Sequence, residues 1–197
     1  GYDDTPSAPS HYILLDTEGK KFAPNTCMSC HGGHIFLNRV IGATLLPLNP
    51  SELVYAGGPS GRAAQEESIR KINQYVLGAA PSAAVASYIN GLYGGKVAVA
   101  GTTAVDNYVP SGWSSQPGLY RQVVRPYCST CHLAADPAYS FSSWGNFQGN
   151  AALLKIAVCS THSMPHSEVP FKDFWTKNTG ALYLPGLLAA SLGFDSC

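Results

Sequence analysis

Two five-residue stretches hold the residues best suited to chemistry, Cys27-Met28-Ser29-Cys30-His31 and Cys128-Ser129-Thr130-Cys131-His132. C-x-x-C-H is the attachment signature of c-type haem: both sulfurs form thioethers to the vinyl groups, and the histidine takes one axial position on the iron. The spacing has a physical basis, since three residues separate the sulfurs by about one helical turn and the next residue sets the imidazole beneath the macrocycle. Met164, followed by Pro165, suits the opposite axial position at the second motif, because His with Met is an established axial pair. Of the 2 methionines the other, Met28, lies inside the first motif, so the first iron has no methionine of its own. Zinc knuckles and thioredoxin-like dithiols also use C-x-x-C. A zinc site would leave each following histidine unexplained, and a thioredoxin-type motif needs a preceding strand and usually occurs once.

With these motifs stand "LYRQVVRPYCSTCH", a middle helix, "SMPHSEVPFKDFW" and a terminal apolar helix. On them the chain resembles a small dihaem c-type cytochrome, and residues 117–194 resemble a class I cytochrome c domain. The first half shares only "CMSCHGG" with that pattern. The resemblance implies a mainly α fold of two small haem-binding lobes with long loops, the C-terminal lobe class I cytochrome c-like. It implies two covalently bound haem c groups, with thioethers at Cys27, Cys30, Cys128 and Cys131 and axial ligands His31, His132 and Met164. The sixth ligand of the first haem falls to His11, beside the N-terminal arm, or to His34 donated to another haem; His34 has propionate bonding and no special role as alternatives.

The function implied is relay of single electrons between redox protein partners. A second reading is a dihaem redox enzyme, of peroxidase or thiosulfate-oxidising type, with an open site at the first haem. Against it, Asp16, Glu18 and His34 are the only titratable groups near the first motif apart from lysines. A third reading is a subunit of a conductive extracellular cytochrome filament, which a homo-oligomer with haems stacked across its contacts would form.

The motifs divide the 197 residues into near halves. We expect an N-terminal lobe over residues 1–96 with an extended arm over 1–10, a linker over 97–116 and a C-terminal lobe over 117–197. Charged residues are 12% with formal charge +0, and no basic run marks a nucleic-acid surface. No stretch is long and apolar enough to span a bilayer. Of 6 cysteines, 4 lie in the motifs, and Cys159 and Cys197 form the remaining pair. A disulfide between them and c-type haem attachment both point to a periplasmic or extracellular compartment. The start at Gly1 agrees with signal-peptide removal, although a recombinant design would begin the same way.

The elements that must position these residues follow from periodicity. Ala64, Ile69, Ile72, Tyr75 and Val76 recur at helical spacing over 61–77, with Ser60 as cap and Gly78 as stop. A second helix runs over about 81–93 and ends at Gly94-Gly95. Pro47 and Pro50 break residues 41–55 into turns, and 96–109 alternate weakly, as one short hairpin would. Pro117 opens a helix whose apolar face is Leu119, Tyr120, Val123 and Val124. Helices over 151–158 and 185–192 complete that half, where Phe171, Phe174 and Trp175 wall the second haem and Trp113 sits in a boundary loop or lids it. His162 and His166 flank Met164.

Overall fold

The computed structural model describes residues 12–14, 17, 19–135, 137–164, 167–177 and 183–197. His11, Pro165, His166 and the arm over 1–10 lie outside them. Strand β1 (Tyr12–Ile13) pairs antiparallel with β2 (Lys21–Phe22). Helix α1 (Asn25–His31) carries the first motif and stops at Gly32, whose φ of 66° suits glycine. His34 therefore does not continue that helix, as its spacing suggested. It opens β3 (His34–Phe36), which pairs with β4 (Arg39–Ile41) through a turn in which Leu37 and Asn38 both have positive φ. Residues 42–61 follow as turns with one 3-10 turn, Pro50–Glu52, capped by the Asn49 side chain accepting from the Ser51 N–H at 3.0 Å.

Helices α2 (Arg62–Gly78) and α3 (Ala83–Leu92) form the first core, with Val76, Val85, Ile89 and Leu92 buried. Gly61 rather than Ser60 is the N-cap of α2, Ser60 being bridged to Gly57. Ser82 caps α3 by accepting from the Val85 N–H. Residues 96–109 form no strand. Acidic and basic side chains of α2 hold this segment instead: Glu66 accepts from the Ala104 N–H at 3.0 Å, and Arg70 donates to the Val97 carbonyl. Val97 and Ala104 thereby enter the core.

The second core surrounds Trp113, which is fully buried and donates its indole N–H to the Phe141 carbonyl at 2.9 Å. Tyr120 and Phe147 each stand 5.3 Å from its ring, centroid to centroid. Trp113 is thus a core anchor rather than a lid. The expected helix opens as α4 (Pro117–Leu119), widens into a π turn over Tyr120–Val124 and ends as α5 (Arg125–Tyr127). Pro126 explains the widening. It has no N–H for the Gln122 carbonyl, and in an α turn its ring would press on that oxygen. Bonds that skip five residues remove the requirement. Helix α6 (Ser129–His132) carries the second motif, and α7 (Trp144–Gly149), α8 (Ala151–Leu154), α9 (Glu168–Thr176) and α10 (Leu184–Leu192) follow. A second π turn, Lys155–Ser160, extends α8 to Cys159, which is disulfide-bonded to Cys197 as expected from the cysteine count.

The fold corrects the expected pair of haem-binding lobes, the second class I cytochrome c-like. Helix α1 packs against α6, so the two motifs meet in one seam instead of each holding a crevice of its own. Leu133 and Ala134, which follow the second motif, belong to the core built by α2 and α3. The approach depends on Gly32: a Cβ there would sit 2.6 Å from the Ala134 carbonyl oxygen.

Candidate functional site: a paired thiol centre

Within the seam, the Cys30 and Cys131 sulfurs face each other at 2.8 Å across 101 residues of sequence. That separation exceeds the ~2.05 Å of a disulfide bond and is well inside ordinary nonbonded contact. All four motif cysteines are free. At this distance each sulfur governs the other's ionisation. The Cys131 S–H beside it holds Cys30 down at about 6 against the pull of burial, while the same contact and burial push Cys131 up. Cys128 is pushed up to about 12 by burial alone, and Cys27 is exposed.

Local structure fixes both motif ends. Ser29 donates its hydroxyl to the Thr26 carbonyl at 2.7 Å, closing a turn inside α1. Ser129 does the same to the Arg125 carbonyl at 2.7 Å. His31 Nδ1 lies 2.7 Å from the Thr44 carbonyl and His132 Nδ1 lies 3.0 Å from the Tyr139 carbonyl. A carbonyl only accepts, so each Nδ1 carries a proton and donates it there. His132 also stacks on Phe141, rings 4.0 Å apart and 3° from parallel, and burial lowers its pKa against the Tyr139 bond.

A cleft of about 410 Å³ opens beside the sulfurs, lined by Cys30, Cys128, Cys131, His132 and Met164 among others. The structure thus brings Met164 to the second motif, as the sequence suggested. Trp175 does not wall this cleft: its ring lies 4.3 Å from that of His162, tilted by 34°, and Phe174 is buried in the second core. His34 lines a separate cleft, of about 660 Å³, together with Gly32 and Gly33. The role of His11 lies outside the described residues.

The pairing overturns the haem reading. Thioethers to two haem c groups would direct Cys27 with Cys30 at one ring and Cys128 with Cys131 at another. Cys30 and Cys131 instead direct their sulfurs at each other, too close for each to bear a thioether carbon along that line. Among the described residues, no group of three or more His, Cys, Asp or Glu side chains converges to hold a metal ion. The two covalently bound haem c groups, the resemblance to a dihaem c-type cytochrome, and the three functions built on it are corrected accordingly: single-electron relay, the peroxidase or thiosulfate-oxidising enzyme, and the conductive cytochrome filament. The sequence missed the pairing because a contact between two motifs so far apart leaves no local signal. Comparison of the chain with protein-family models, with curated proteins and with solved structures gives no match.

Proposed function

We propose that the chain is a thiol redox protein of a periplasmic or extracellular compartment, exchanging electron pairs with disulfide-bearing protein partners through Cys30 and Cys131. The observation that carries this reading is the 2.8 Å approach of two free sulfurs at the edge of an open cleft. The Cys159–Cys197 bridge supports the compartment, since such bonds persist outside the reducing cytosol. No helix among the described residues is long and apolar enough to cross a membrane.

The step is thiol–disulfide exchange. Cys30 sulfur attacks one sulfur of the partner disulfide; the partner S–S bond breaks, and its first thiolate leaves with a proton. Cys131 then attacks Cys30 in the mixed disulfide and releases the second partner thiol. Two electrons and two protons pass from the Cys30–Cys131 dithiol to the partner, whose disulfide becomes a dithiol. The reverse sequence restores the dithiol. Preorganised sulfurs make the second attack intramolecular and fast.

The test is nonreducing peptide mapping after mild oxidation, combined with intact mass. The expected result is a Cys30–Cys131 link, one two-electron transition in a thiol redox buffer, and a trapped mixed disulfide with oxidised glutathione in Cys131→Ser. A group carried covalently on any of the four motif cysteines, or unchanged exchange in Cys30→Ser, would overturn the reading.

A further inference from the structure

The walls of the cleft beside Cys30 and Cys131 select what a partner can bring to the sulfurs. Its volume of about 410 Å³ lies within the ~300–1,000 Å³ of small-ligand sites, so it holds a few side chains rather than a folded surface. Pro126, Tyr127, Met164 and Pro170 supply the apolar lining. Buried side chains back it: Tyr127 stands edge-on to Phe174, centroids 5.7 Å apart, and Met164 packs against the second core. The Met164 backbone is held too, its carbonyl accepting from the Ser167 hydroxyl at 2.7 Å.

Polar groups around the sulfurs are already committed. Ser29 donates to the Thr26 carbonyl, Ser167 to that of Met164, and His132 Nδ1 to that of Tyr139. Pro126 and Pro170 have no backbone N–H to offer. Among the described residues lining the cleft, none is Lys, Arg, Asp or Glu. A charged side chain entering it would lose water and gain no ion pair, whereas an apolar one is favoured by the area it buries. On the thiol-exchange reading above, on which this inference rests, the occupant must bring a disulfide to the sulfur pair at the cleft's edge. The residues that fill the cleft are therefore those beside that disulfide. We infer that the partner is a protein disulfide flanked by an apolar residue, which seats against Met164 and Tyr127 while Cys30 attacks. Cys30 loses its proton to solvent and its sulfur bonds to one partner sulfur; the partner S–S bond breaks, and the other sulfur leaves with the electron pair and is protonated from solvent. Met164 is unbranched and follows the shape of what meets it, so selection is for apolar character rather than for one side chain.

The test uses the full chain and three probes, the disulfide dimers of N-acetylated, C-amidated Leu-Cys, Asp-Cys and Lys-Cys. Closure of the Cys30–Cys131 link is followed by alkylation and intact mass. Each rate is divided by that of the same probe with free glutathione, which removes the probe's own reactivity. The Leu probe should be about tenfold faster than either charged probe. Thr130→Lys, at an exposed position on the cleft, places a cation there without touching the core and should cut the preference for Leu over Asp to about threefold or less. Met164→Lys should do the same, and Met164→Leu should keep the preference. Val54→Lys, fully exposed and outside the cleft, should leave all three rates unchanged. A charged probe as fast as the Leu probe, or a preference untouched by both Thr130→Lys and Met164→Lys, would overturn the inference and leave the exchange reading standing. Failure of every probe to close the link would overturn both.

Discussion

The Arg125 guanidinium meets the Glu52 carboxylate at 2.6 Å, Nε to Oε1, tying the 3-10 turn after Asn49 to the helix that leads into the second motif. Neither atom has an aligned hydrogen-bond partner, so the contact is an ion pair held by charge. The side chains are only 21% and 16% exposed for Glu52 and Arg125. Burial outweighs the attraction of Arg125 and holds the Glu52 carboxyl above its ordinary 4.5. The folded state thus keeps this proton more readily than the unfolded chain, and its contribution to stability is full below about pH 4.5 and is lost as pH rises through the raised folded value. Urea melts at pH 4 and pH 7 should show that loss in the native chain and a smaller one in Glu52→Gln. Arg125→Met leaves the buried carboxylate unpaired and should cost about 3 kcal/mol at pH 7.

Cys159 and Cys197 close a loop with a sequence separation of 38, joining the π turn after α8 to the segment that follows α10. On the chain-entropy account such a loop is worth about 3 to 4 kcal/mol. The double variant Cys159→Ser, Cys197→Ser should lose stability in that range by urea melting. Alkylation of the native chain without reductant should leave both residues unmodified.

Asn73 is buried on α2 and holds the loop over 42–61 from both sides. Its amide donates to the Leu48 carbonyl at 2.7 Å and to the Tyr93 hydroxyl at 3.1 Å, and its carbonyl accepts from the Leu48 N–H at 2.8 Å. Asn73→Ala leaves two buried backbone groups unpaired and should cost about 2 to 3 kcal/mol, read as a lower urea midpoint at unchanged slope.

Gly32→Ala meets both a φ of 66° and the Ala134 oxygen at 2.6 Å. Backbone must move, which parts α1 from α6. Formation of the Cys30–Cys131 link should slow about tenfold or more relative to the native chain. Gly57→Ala, also at positive φ but with nothing within 4 Å, is the control and should leave the rate unchanged.

Periodic helices were legible in the sequence because each declares itself locally: Leu119, Tyr120, Val123 and Val124 are all buried where their spacing placed them, as are Ile69 and Val76, although Ala64, Ile72 and Tyr75 of the same expected row are exposed because only one narrow stripe of α2 meets the core. The Cys159–Cys197 bridge was legible by parity. The β3–β4 hairpin was not, because Leu37 at a φ of 46° gives none of the glycine signal that such turns usually carry. The segment over 96–109 reads as weakly alternating, yet Glu66 and Arg70 reach across from α2 to fix it as turns, a tertiary override of a weak local pattern. The haem reading failed for the opposite reason. The motifs are strong locally, and it is the packing of α1 on α6 that redirects their sulfurs.

The π turn over Tyr120–Val124 also sets the angular phase of everything after it. An α-helix turns about 100° per residue, and a π turn takes about one more residue for the same rotation, so winding these residues as α at unchanged length would rotate the downstream face by about that angle. Arg125 would swing from Glu52, and Cys128 and Cys131 would leave the seam without any change in their own spacing. The winding between Pro117 and Cys128 therefore acts as a gauge for the second motif, and a chain wound as α throughout that stretch would carry the same C-x-x-C-H with its sulfurs pointed elsewhere.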